Sequence, residues 1–132
     1  MDDRNGTSTA TDFDPHAVVS RHVATAAAAF EAATCGHPLC RIGDGPDVMR
    51  PKFAEGGLAA ATELDRSMER SPTTSPIELA ADTLAAWEEE RRSCDDHGGP
   101  RVGYLNGGVA QLRNILTELR RAPASRAGRS AV

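Results

Sequence analysis

This sequence is poor in aromatic side chains, almost without lysine, and free of long apolar runs, and each shortage excludes something. Aromatics are 4% of the chain, as Phe13, Phe30, Phe53, Trp87 and Tyr104, so any core is built mainly from Ala, Val, Leu and Ile. Such a core removes less area from water per residue than an aromatic one. Its stability gains from a partner subunit or a metal. No stretch approaches the ~18 apolar residues of a membrane span. The opening MDDRNGTSTATDFD lacks the basic start and apolar run of a secretory leader. A cytoplasmic protein with no membrane partner is expected, and no helix has the basic amphipathic face that binds a membrane surface. In a reducing compartment three cysteines do not form a disulfide framework.

Enzyme signatures are also missing. No GxxxxGKS, GxxxxGKT, HExxH or GxSxG occurs, and no strand precedes a glycine-rich turn. The segment GDGPD, residues 43–47, lacks the spaced ligands of a calcium loop and reads as a turn. Glu88-Glu89-Glu90 followed by Arg91-Arg92 reads as a solvated helix face with local ion pairs rather than acid–base machinery. An enzyme is not expected.

Lys52 is the only lysine beside many arginines and alanines, a composition typical of GC-rich genomes such as those of actinobacteria and their phages. Net charge is −4 overall. From residue 113 onward, Arg113, Arg120, Arg121, Arg126 and Arg129 face Glu118 alone, a net of +4 that leaves −8 for residues 1–112. The pattern is an acidic body with a basic end.

What the chain has in abundance is helical periodicity. Residues 1–13 are mostly Asp, Thr, Ser, Asn and Gly and read as disordered. Asp14-Pro15 places an N-cap before a proline at the first helical position. Val19, Val23, Ala26, Phe30 and Ala33 then form one apolar stripe, which Cys35-Gly36 closes with a glycine cap. A second helix is expected from Arg50-Pro51, carrying Phe53, Ala60, Ala61, Leu64 and Met68 and ending before Ser71-Pro72. Ser75-Pro76-Ile77-Glu78 is a capping box opening a third helix with Ile77, Ala80, Ala81, Leu84 and Trp87. The fourth runs from near Val102 to Arg121 with Leu105, Val109, Leu112, Leu116 and Leu119, and Pro123 is expected to end it. Residues 122–132 then read as a basic flexible tail. Strand signals are absent, so the expected fold is all-α, an antiparallel four-helix bundle.

The second and fourth helices share a pattern. Phe53-Ala-Glu-Gly-Gly-Leu-Ala59 parallels Tyr104-Leu-Asn-Gly-Gly-Val-Ala110, and each follows a capped helix bearing one large aromatic, Phe30 or Trp87. The bundle therefore reads as two similar hairpins, 14–70 and 75–121. Adjacent glycines in a helix cost about 1 kcal/mol each relative to alanine, so something must offset them. Either the pairs form the helix entry, with Asn106 as a cap, or they make a packing notch in which Gly56, Gly57, Gly107 and Gly108 receive Phe30 and Trp87.

Cys35, His37 and Cys40 lie in the loop after the first helix, and Cys94 and His97 in the loop after the third. In an up-down-up-down bundle these loops share one end. Three thiolates and an imidazole suit a structural zinc, so Cys35, Cys40, Cys94 and His97 form the candidate site, with His37 as a substitute ligand. Metal binding of this kind contributes directly to folding.

Two functions follow. The first is a small protein–protein interaction or regulatory module, docking on another protein or on itself as a homodimer. The alternative is a DNA-binding regulator using Gln111, Arg113, Asn114, Arg120 and Arg121, residue types that contact bases and phosphates. Against the alternative, the acidic body repels a phosphate backbone.

Overall fold

A computed structural model describes residues 13–34, 46–94 and 99–131, with side chains described for 13–34, 49–94 and 99–121. Among these residues there are four helices and no strand: α1 (Pro15–Thr34), α2 (Pro46–Arg70), α3 (Pro76–Ser93) and α4 (Pro100–Ala131). They pack as a helical bundle. None is long and apolar enough to cross a membrane.

Local chemistry sets several of the helix ends. The Asp14 carboxylate accepts from the His16 backbone N–H at 3.0 Å, and its carbonyl accepts from Val18 at 3.1 Å, satisfying donors that a helix start leaves open. Ser75 caps α3, its hydroxyl accepting from the Glu78 N–H at 3.5 Å ahead of Pro76. At the other end of α3 the Cys94 N–H reaches back to Arg91 O at 3.3 Å.

Two prolines expected to bound helices do not. α2 begins at Pro46, not at Arg50-Pro51, and Pro51 sits inside it. An interior proline removes one backbone hydrogen bond and crowds the preceding turn, at a cost of about 3 kcal/mol. Its ring is fully buried, and that burial offsets part of the cost. α4 begins at Pro100 and continues through Pro123 to Ala131, ten residues past the expected end at Arg121. The residues after Pro123 are rich in alanine and arginine, both strong helix formers. The segment expected to form a tail, 122–132, is helical as far as Ala131.

The core is continuous through all four helices. α1 contributes Val18 and Val19, α2 Ala60, Ala61, Leu64 and Met68, and α3 Ala80 and Trp87. α4 contributes most, with Leu105, Val109, Leu112, Ile115, Leu116 and Leu119. Each leucine buried here is worth roughly 1.5–3 kcal/mol. α2 packs chiefly on α4, while α1 lies against α2 and α3 against α4. Phe53, expected on the buried stripe of α2, is instead 47% exposed.

Candidate functional site

The centre of the molecule is the place where α2 meets α4, and glycine makes it possible. A Cβ at Gly56 would lie 2.7 Å from the Tyr104 carbonyl carbon and closer still to its oxygen. A Cβ at Gly107 would meet the Phe53 carbonyl in the same way, again 2.7 Å from the carbon. No real Cβ tolerates such distances from backbone. Each helix therefore sets its glycine on the other's backbone, one turn from the aromatic of the shared motif. The two aromatics of the motif differ in burial: Tyr104 packs against the core, whereas Phe53 is exposed.

The second glycine of each pair does something different. Gly108 lies under Trp87, where a Cβ would come within 2.9 Å of the ring. The indole N–H donates to Glu63 Oε1 at 3.0 Å, and the ring lies 5.5 Å from that of Tyr104 at a tilt of 32°. Trp87 thus links α3 to α2 and α4. Burial raises the Tyr104 phenol above its ordinary range, helped by the Glu55 carboxylate, so it stays protonated at neutral pH. Gly57, by contrast, receives the Gln111 side chain, whose Oε1 would lie 3.2 Å from an added Cβ, and not Phe30. Phe30 is half-buried on α1.

Gln111 also belongs to a polar relay between α1 and α4. Its Nε2 lies 2.8 Å from His22 Nδ1, and His22 Nε2 lies 2.9 Å from Glu118 Oε1. Arg21 pairs with the other Glu118 oxygen. The His22 side chain is 13% exposed, and both of its ring nitrogens are engaged. The His22 hydrogen bond holds the Glu118 carboxyl below its usual range, assisted by the Arg21 charge and opposed by partial burial. The relay was not among the expected sites. The available signal was the place of His22 on the apolar stripe of α1, three residues after Val19 and four before Ala26, where a histidine needs partners.

Of the residues that suit nucleic acid, Gln111 is committed to this relay and Arg113 to Glu88 at 2.8 Å. Asn114, Arg120 and Arg121 are exposed on α4. Of the expected zinc ligands, Cys94 is half-buried at the end of α3 against the core, while Cys35, His37, Cys40 and His97 lie outside the described residues. Among the described residues, no group of three or more His, Cys, Asp or Glu side chains is placed to hold a metal ion.

Two of the shallow clefts among the described residues have charged linings. One of about 370 Å³ is lined by Lys52, Glu55, Pro100, Arg101 and Tyr104, but its cations already pair with Glu55 and Glu90. The other, about 440 Å³, is lined by Ala59, Thr62, Glu63, Arg66 and Arg70.

Among the described residues, α1 differs from α3 and α4 in its exposed side chains. On α3 and α4 the outward positions carry ion pairs: Glu88 with Arg113, Glu89 with Arg92, Glu90 with Arg101. From Val23 to Thr34, α1 has a single charged residue, Glu31. Ala24, Thr25, Ala27, Ala28, Ala29 and Ala32 are all exposed there. No family model, curated protein or solved structure matches this chain.

Proposed function

We propose that this protein is a small helical interaction module that docks a helix of small apolar side chains, from a partner protein or from a second copy of itself, on the outer face of α1. The observation that carries this reading is the exposed, almost uncharged alanine surface between Val23 and Thr34. Exposed alanine on one helix is unremarkable, but here it recurs over three turns with Glu31 as the one charge, whereas α3 and α4 carry ion pairs. Apolar area of this kind is stabilised when covered. Alanine is also the residue that lets two helix backbones approach closely.

The framework behind that face is read as two antiparallel hairpins. The late residues of α3, Glu90 and Arg91, meet the early residues of α4, Arg101 and Asn106, while Glu88 meets Arg113. Arg21 and His22, early in α1, meet Glu118, late in α4. Met49, Phe53 and Gly57 of α2 lie by Gly103, Gly107 and Gln111 of α4 in the same order, which supports parallel α2 and α4, each antiparallel to its own hairpin partner. α2 and α4 then start at one pole. That shared pole supports a structural zinc held by Cys35, Cys40, Cys94 and His97, all carried on segments that lead into those starts.

Size-exclusion chromatography with light scattering tests the docking face. The wild type is expected to pair through this face, so that Ala28→Arg halves the particle mass and leaves the helix content unchanged. Exposed substitutions of this kind change stability by no more than about 0.5 kcal/mol. A monomeric wild type that binds random duplex DNA, more weakly as salt rises, would refute the interaction module in favour of the arginines of α4.

A further inference from the structure

The glycine contacts at the α2–α4 seam are reciprocal. Gly56 sits on the Tyr104 carbonyl and Gly107 on the Phe53 carbonyl, and Phe53 stands to Gly56 in its motif as Tyr104 stands to Gly107 in the other. An interface in which site i meets j and the counterpart of j meets the counterpart of i has two-fold character, as in a symmetric homodimer. The helix packing follows the same symmetry: α2 and α4 are central, α1 covers α2 and α3 covers α4. The two halves are joined covalently only through residues 71–75, between α2 and α3.

We propose that the two hairpins exchange between copies of the chain, giving a dimer in which α1–α2 of one molecule pairs with α3–α4 of the other across the same glycine seam. Every contact at the seam is preserved in the exchanged form, so the balance between closed monomer and exchanged dimer is set by the linker and by concentration. The linker offers little resistance. Its backbone makes one bond back to α2, Ser71 N–H to Ser67 O at 2.9 Å, one internal turn, Thr74 N–H to Ser71 O at 3.1 Å, and one bond that starts α3, Leu79 N–H to Ser75 O at 2.9 Å, of which only the turn has to open. Opening that turn costs about 1 kcal/mol. Pro72 and Pro76, each costing about 3 kcal/mol inside a helix, disfavour an opened linker that joins α2 and α3 into one helix. Five extended residues span roughly 17 Å, which separates the hairpins enough to receive another molecule's. The exchanged dimer carries two α1 faces, and two linked docking faces bind a repeated partner more tightly than one.

The test is made in an Ala28→Arg background, so that association through the α1 face does not contribute. Deleting Thr73 and Thr74 prevents the hairpins of one chain from closing on each other. The deleted protein is expected to be a dimer of unchanged helix content by light scattering and circular dichroism, and a folded monomer overturns the proposal. Should the deletion not fold, complementation decides. Gly56→Leu and Gly107→Leu chains are unfolded together in urea and refolded together. Exchange yields one bundle with both lesions and one with neither, so about a quarter of all bundles are intact on random pairing. A melting component at the temperature of the Ala28→Arg parent is expected, absent from either chain alone and from the chains refolded separately and then mixed. A co-refolded melt equal to the average of the two separate melts overturns the proposal, and so does an undiminished melting temperature in both single variants.

Discussion

Alanine in place of Gly56 is the sharpest probe of the central seam, because propensity and packing push its effect in opposite directions. In a helix interior the change from glycine to alanine gains about 1 kcal/mol. Here the new Cβ would lie 2.7 Å from the Tyr104 carbonyl carbon and nearer its oxygen. That obstacle is backbone and cannot rotate away, so α2 and α4 must separate along the largest interface in the molecule. Overpacking costs about 1–3 kcal/mol where side chains yield, and a backbone obstacle belongs at the upper end. The net expectation for Gly56→Ala is a loss of about 2 kcal/mol, a fall of roughly 6–10 °C in Tm for a chain of this length. Gly57→Ala, one residue along, supplies the control. Its nearest neighbour is the Gln111 side-chain oxygen at 3.2 Å, which can swing aside, so this variant is expected to match or exceed the wild type. Urea unfolding followed by circular dichroism measures both. Equal effects at the two positions, or a gain at Gly56, would refute the close approach of the helices. The double variant Gly56→Ala/Gly107→Ala should lose less than the sum of its parts, since one separation relieves both clashes.

Three further outcomes follow from other sites. Gly108→Ala is expected to destabilise by about 2 kcal/mol because its Cβ meets the Trp87 ring, and adding Trp87→Leu should recover part of that loss; no recovery would place the cost elsewhere. The Glu118 carboxyl titrates below its ordinary range because His22 and Arg21 favour its charged form. Its share of stability is full above the unfolded value near ~4.3 and fades as pH falls through the lower folded value. Glu118→Gln should therefore flatten the acid limb of a stability–pH curve, and an unchanged limb would show that the ion pair contributes nothing. For the zinc proposal, metal analysis of protein purified without added zinc is expected to give about one equivalent; none, with folding unaffected by chelator, would end it.

Much of the helical architecture was legible because it is written locally. The capping box at Ser75, the proline after Asp14 and the leucine stripe from Leu105 to Leu119 each depend on neighbours within one or two turns. Misreadings arose where distant residues decide. Pro51 and Pro123 look like boundaries to any local rule, and only the burial of the Pro51 ring shows what holds a helix together around it. Phe53 lies on the apolar stripe, yet it is exposed while its motif counterpart Tyr104 packs against the core. The double glycines announced an unusual approach by their cost, but not what approaches: Trp87 lies on Gly108, whereas Gln111 and not Phe30 lies at Gly57. The relay through His22 could not be read from spacing, since its members stand 89 and 96 residues apart.

The placement of Trp87 has a practical consequence. It is the sole tryptophan of the chain, wedged over Gly108 of α4 and tethered to Glu63 of α2. Its intrinsic fluorescence therefore reports from the junction of the two halves with no added label. Parting of α3 from α2 would wet the indole and shift its emission to the red, so stopped-flow mixing can time their separation and return in the native chain.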